Sequence, residues 1–137
     1  MKKVLVTGDR DWINSEIIRK YLQKLKSEGF GILIQGECKG ADTIARIEAE
    51  KLGFVILNRD DKTRGFPAQW DIYHKAAGPI RNQEMLDVGK PDLILAFHPE
   101  ISKSKGTRDM ILKGRKAGVP TTLINGKGEV CEEKTML

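Results

Sequence analysis

The sequence predicts a Rossmann-like α/β fold: a three-layer α/β/α arrangement around a five-stranded, mostly parallel sheet. Two observations carry this expectation. Short runs of β-branched residues and leucine alternate along the chain with segments of helical periodicity, and glycine punctuates most of the junctions. The length, 137 residues, suits one domain of this kind. Strands that alternate with helices pair in parallel, because each helix carries the chain back across the sheet in a right-handed crossover.

Each element has its own signal. Lys3 to Thr7 (KVLVT) reads as a buried strand that ends in Gly8. Asn14 or Ser15 caps the first helix, where Ile17, Ile18, Tyr21, Leu22 and Leu25 recur at helical spacing, and Gly29 stops it. Gly31 to Gln35 is the second strand, broken by Gly36. A second helix covers about Ala41 to Leu52, with Ala41, Ile44, Ala45 and Leu52 on one side. Gly53 ends it, and Phe54 to Leu57 is the third strand. The polar segment Asn58 to Lys75 is longer than most connections in such folds. Gly78-Pro79 opens the third helix, since proline suits the first helical position, and that helix ends near Gly89. Asp92 to Phe97 is the fourth strand. A loop from His98 to Lys105 leads to Gly106-Thr107 and a fourth helix ending near Ala117-Gly118. Val119 to Ile124 is the fifth strand. The domain is expected to span 1–124, with 125–137 a polar tail packed on or flanking it, in which Val130 and Cys131 are candidates to pack.

Composition narrows the class of function. With 39% hydrophobic and 31% charged residues, the chain has a globular profile rather than a disordered one. No apolar run approaches the roughly 18 residues of a membrane span, and Val4 to Val6 is too short for a signal peptide, so the expectation is a cytoplasmic protein without a membrane partner. Cys38 and Cys131 have no metal-ligand spacing, so neither a metal nor a cofactor is implied, and both are expected as reduced thiols. The net charge of +5 comes from scattered lysines and arginines. They read as solvated helix faces rather than as a nucleic-acid stripe.

In such sheets a ligand sits outside the carboxyl ends of the strands, near the point where the strand order reverses. The loops after the strands therefore hold the candidates. In Thr7 to Trp12, Gly8 permits a sharp turn and close approach to a ligand, Arg10 suits a phosphate, and Asp9 suits a ribose hydroxyl or orients Arg10; the alternative is a plain turn. In Gly36 to Asp42, two glycines (Gly36 and Gly40) bracket the turn into a helix N-terminus, an end that attracts anions, and Lys39 adds charge. Asp42 is either a cap or a ribose ligand. The spacing of a Walker A loop is absent, and Cys38 has no histidine near it in sequence to make it a nucleophile. In Lys103 to Asp109, Thr107 shares a helical face with Met110, Ile111 and Gly114 and so points toward the sheet, where Gly106 and Thr107 suit a phosphate; the alternative is a threonine N-cap.

Arg81 is the oddest residue. It lies at i, i+4, i+7 with Met85 and Val88, on the apolar stripe of its helix. An inward arginine needs an anionic partner, either an internal carboxylate such as Asp9 or Asp42 or a ligand phosphate. Asn82 beside it can both donate and accept. Phe66, Trp70 and Tyr73 form either a flap over a base or an anchor for the long segment, and His74 is either a proton carrier or a surface residue.

Four segments together resemble the YspA/YpsA-related branch of the SLOG superfamily. They are Thr7-Gly8-Asp9-Arg10-Asp11, the run from Gly36 to Asp42, Ala76-Ala77-Gly78-Pro79-Ile80-Arg81-Asn82 (with Trp70 and His74 just before it), and Gly106-Thr107-Arg108-Asp109-Met110. The likeness extends from about Lys3 to Ile124. It implies a Rossmann-like sheet with a pocket for a nucleotide or a nucleotide-derived ligand, and, by analogy with related enzymes, a homodimer. More distant members, the Lonely Guy phosphoribohydrolases, use an arginine on the third helix and a PGGxGTxxE loop. Arg81 looks like the former, and Gly106-Thr107 looks like the GT of the latter. The two preceding glycines are replaced around Ser102 to Lys105, and the glutamate position falls on Met110, with Asp109 about 100° away around the helix. N-glycoside hydrolysis needs a carboxylate, for which Asp9, Asp42 and Asp109 are the candidates. The leading expectation is thus nucleotide binding, followed by hydrolysis of a nucleoside monophosphate. A third is single-stranded nucleic-acid binding, as in the SLOG relative DprA.

Overall fold

The structure, a computed structural model, describes residues 1–131. Five strands form one parallel sheet: β1 (Lys2–Gly8), β2 (Phe30–Ile34), β3 (Val55–Ile56), β4 (Leu93–Phe97) and β5 (Thr121–Ile124), in the order β3-β2-β1-β4-β5. The chain steps outward from β1 to β3 and then returns to the other side of β1. The order therefore reverses between β1 and β4, whose last residues, Gly8 and Phe97, are paired.

The period-two alternation of β1 divides the core between the two faces. Val4 and Val6 pack with Leu22 and Leu25 of α1 (Ser15–Ser27) and Ala45 and Ala49 of α2 (Ala41–Lys51). Leu5 packs on the other face with Ile34, Ile94, Phe66 and Met85, and with Met110 of α5 (Lys105–Lys116). Between β3 and β4 lie α3 (Trp70–Tyr73), a short 3₁₀ turn (His74–Ala76) and α4 (Ala77–Glu84), which widens into a π turn over Met85–Gly89.

Several boundaries differ from the expectation for identifiable reasons. Asn14 is the cap of α1, its side chain accepting the Ile17 N–H at 3.1 Å. The third strand shrinks to two residues because it is the sheet edge, with Val55 more than half exposed. The helix carrying Arg81 opens at Ala77 rather than at Gly78-Pro79; Pro79 still lies in its first turn, where an N–H has no intrahelical partner. The cap of α5 is Ser104, whose Oγ accepts the Thr107 N–H at 3.1 Å, so Thr107 is not the N-cap. Val119 stays outside β5, its N–H donating to Gly114.

The long polar segment is strapped down rather than loose. Arg59 binds Glu84 through two nitrogens (2.6–3.1 Å), and the fully buried Gln35 donates to the Arg64 carbonyl. Phe66 is fully buried. After β5, Asn125 Oδ1 accepts the Lys127 and Glu129 N–H groups, and Ile124 and Val130 form an antiparallel bridge. Cys131 packs against the Ala96–Ile111 cluster while Val130 stays exposed; the remainder of the expected tail, 132–137, lies outside the described residues. Among the described residues, no helix is long and apolar enough to cross a membrane.

Gly40 joins the first two loops. Its φ is +77°, and a Cβ there would run into the carbonyls of Asp9 and Arg10, while the neighbouring Ala41 N–H donates to the Asp9 carbonyl at 3.0 Å. Gly40→Ala is expected to lower stability by roughly 2–4 kcal/mol in urea unfolding. Gly29→Ala, at φ +97° with open space around it, should lose only about 1–2 kcal/mol.

Candidate functional site

A cleft of about 520 Å³ opens where the strand order reverses. It is lined by Thr7 to Asp11 after β1, Cys38 and Asp42 around the start of α2, and Trp70, Lys75, Arg81, Asn82 and Met85 from the α3–α4 region. His98 after β4 and Lys103 to Thr107 with Asp109 at the start of α5 complete it.

Arg81 is only 8% exposed. Its Nε donates to Asn82 Oδ1 at 3.0 Å, and its Nη1 to the carbonyls of Gly36 (2.7 Å) and Phe66 (3.3 Å). Among the described residues Nη2 has only the Cys38 sulfur as a partner, 3.7 Å away and a weak acceptor. The guanidinium lies where a Cβ on residue 36 would be, so Gly36 is glycine to seat Arg81 rather than to admit a ligand. Gly8 likewise leaves space for the Phe97 carbonyl and the Ala41 side chain, although it also lines the cleft.

The three candidate carboxylates have different surroundings. Asp42, 5% exposed, accepts the N–H groups of Gly36 (3.0 Å) and Cys38 (3.4 Å), which folds the second loop around it. Burial pushes its pKa up to about 6, against the pull of Arg81, those two amides and Arg10. Asp109 is held by Lys113 (2.6 Å) and by Asn82 Nδ2 (3.0 Å). Asp9 Oδ1 accepts the Asp11 N–H at 3.0 Å and lies 3.9 Å from His98 Nε2. His98, 9% exposed, accepts the Glu100 N–H on Nδ1 at 2.9 Å, and burial lowers its pKa despite the nearby Asp9 and Glu100. Asn82 ties α4 to α5, donating to the Gly106 carbonyl at 3.3 Å as well as to Asp109. At Gly106 itself a Cβ would meet nothing within 4 Å.

Of the residues singled out from sequence, Gly8, Asp9, Arg10, Asp42, Trp70, Arg81, Asn82, Gly106, Thr107 and Asp109 meet in this cleft. Gly36 and Gly40 stand behind it as packing glycines. Lys39 points elsewhere, 3.8 Å from Asp11 and beside a shallower depression with Arg10, Trp12 and Ile13. Phe66 belongs to the core and Tyr73 is not in the lining, so the aromatic flap reduces to Trp70, about half exposed. His74 is exposed, at φ +53°, and outside the cleft. The histidine in the cleft is His98, at the start of the loop after β4 and not among the candidates from sequence. Its signal was its place: it directly follows the strand that pairs with β1 at the reversal.

The fold and cleft define a Rossmann-like domain with a polar, mixed-charge crevice at the sheet's reversal point. The chain belongs to the YspA, cpYpsA-related SLOG family, whose model matches residues 2–71. It is 33% identical over 125 residues to the gene 61 protein of Mycobacterium phage D29, covering 88% of this chain and 94% of that protein. Its fold is similar to that of DNA processing protein A (DprA) from Streptococcus pneumoniae, with a TM-score of 0.69 at 18% identity over 92% of this chain. The chain spans about half (51%) of that structure.

Because the folded pKa of Asp42, about 6, lies above the ordinary 3.8, its contribution to stability is fully present below about pH 4 and is lost as the pH rises through 6. In urea titrations, Asp42→Asn should gain about 2–3 kcal/mol relative to the wild type between pH 4 and pH 7.5. A constant difference over that range would show that the buried carboxyl does not titrate this way.

Proposed function

We propose that the cleft binds a nucleotide-type ligand through its phosphate, with the anion between Arg81 Nη2 and the first turn of α5. One observation carries this reading. Arg81 is a buried cation that lines a cleft and, among the described residues, makes no ion pair and has a sulfur as the only hydrogen-bond partner of its Nη2. Burying a charge is costly without an anion to compensate it, and Asp42 compensates only through space.

The first turn of α5 supports the same reading. Its Thr107 amide is taken by Ser104, while Lys105 and Gly106, which also line the cleft, precede the residues that have intrahelical bonds. Lys103 and Lys105 add positive charge at the same end. Trp70 offers a face to a base. The SLOG family membership and the fold likeness to DNA processing protein A agree with a nucleotide-related ligand. If the ligand is also hydrolysed, Asp9 is the carboxylate that fits, since it accepts one hydrogen bond from the described residues where Asp42 and Asp109 each accept two or more.

The test is calorimetry with a panel of nucleoside monophosphates, with chromatography of the mixtures for free base. Binding is expected for at least one member. Gly106→Asp should weaken it about tenfold or more, because it sets a negative charge beside the phosphate. The same change should leave the unfolding midpoint unchanged or slightly higher, since an acidic residue suits a helix N-terminus and nothing crowds it there. A panel with no binding, beside salt-dependent retention of a single-stranded oligonucleotide, would overturn the proposal in favour of nucleic-acid binding.

A further inference from the structure

We infer that His98 and Asp9 form a seat for one sugar hydroxyl, so that the cleft takes a ribosyl phosphate with that hydroxyl present and discriminates against the deoxy form. The inference rests on the phosphate reading above and adds the second anchor of the same ligand.

The geometry specifies both hydrogen-bonding roles. The Glu100 N–H donates to His98 Nδ1 at 2.9 Å, so in the neutral ring the hydrogen sits on Nε2. Burial favours that neutral ring by lowering its pKa. Nε2–H is therefore a donor, and Asp9 Oδ1 lies 3.9 Å from that nitrogen. That gap is too long for a direct hydrogen bond. It does fit one oxygen placed about 2.8 Å from each atom, with an angle of about 90° at that oxygen. A hydroxyl suits this position and few other groups do: it accepts from Nε2–H and donates to Asp9.

The pair is also held in place. Asp9 is fixed by the Asp11 N–H at 3.0 Å, and its own N–H donates to the Phe97 carbonyl at 2.9 Å, which ties the β1 loop to the end of β4. His98 is 9% exposed, and its N–H donates to the Ile124 carbonyl at 3.0 Å. Among the described residues Nε2 has no hydrogen-bond acceptor, and His98 lines the cleft, so this donor is left for a group that enters there. Both residues line the cleft that holds Arg81 and Gly106.

The experiment compares ribose 5-phosphate with 2-deoxyribose 5-phosphate, and AMP with its 2′-deoxy and 3′-deoxy forms, by calorimetry on the full chain; inorganic phosphate serves as the probe of the anion site alone. At least one deoxy form should bind tenfold or more weakly than its hydroxylated partner. In His98→Phe the two should bind alike, at the weaker level, with phosphate binding unchanged. Asp9→Asn, which keeps an acceptor for the Asp11 N–H, is the second variant and should also narrow the gap. Equal binding of all deoxy and hydroxyl forms by the wild type, with phosphate still bound, would overturn the seat and leave the phosphate reading standing. Failure of every phosphate-bearing probe to bind would overturn both.

Discussion

The buried guanidinium of Arg81 is the constraint around which this end of the molecule is arranged. It draws the Gly36 carbonyl, the Phe66 carbonyl and the Asn82 side chain together, and so joins the loop after β2, the strapped segment before α3, and α4. From Asn82 the connections continue to Gly106 and Asp109 on α5, and from Asp109 to Lys113. From Gly36 they run the other way, through its N–H, to Asp42 on α2. Three helices are thereby positioned from one charged group, and all three contribute residues to the cleft. An arginine spends considerable side-chain entropy in such a fixed pose, and the carbonyls it binds are neutral. The sheet's apolar core fixes the strands, while this polar network fixes the shape of the opening at their ends.

The topology explains why the opening exists. Because β1 and β4 are neighbours and the helices that follow them, α1 and α5, lie on opposite faces, the chain after β1 and the chain after β4 diverge. The gap is lined by Arg10, Lys75, Arg81, Lys103 and Lys105 on the positive side and Asp9, Asp11, Asp42 and Asp109 on the negative. The near balance in formal charge is misleading. Asp42 and Asp109 already satisfy amide and ammonium donors of the protein. The cations retain more unclaimed donor capacity, so the cleft presents itself to an incoming molecule mainly as a donor surface.

The fold was legible because its signals are local: short runs of β-branched residues and leucine, glycine stops, and the helical spacing of apolar residues. The inward direction of Arg81 and Thr107 was legible for the same reason, since helical periodicity reports which face a residue occupies; Val88, which the same spacing puts beside Arg81 and Met85, is exposed because the helix widens into a π turn there. The purpose of the glycines was not. Gly8, Gly36 and Gly40 read as places for a ligand to approach, and in the structure they are places where the protein approaches itself, against Phe97, Arg81 and the Asp9–Arg10 backbone respectively. A sequence states that a side chain is missing but not what fills the space, because the filling atoms come from residues far along the chain. Gly106, the one glycine of these loops with nothing against it, looks the same in sequence as the others. His98 was missed for a related reason. Its role depends on Asp9, 89 positions away, and only the pairing of β1 with β4 brings the two together.

Asp42 and Arg81 together show what the cleft lacks on its own. They are opposite charges, both more than nine-tenths buried, close enough for Arg81 to pull the Asp42 pKa down against the effect of burial, yet they form no direct ion pair. A pair selected for stability alone would close that distance, or be replaced by apolar residues of similar volume at little cost. Instead Asp42 is turned to the amides of its own loop, and Arg81 to neutral oxygens, with one nitrogen left toward Cys38. Each charge is held rigidly and left electrostatically incomplete. Such an arrangement lowers the stability of the free protein, and on the proposed reading an anion entering the cleft would recover part of that loss at Arg81, whose donors are already held in place.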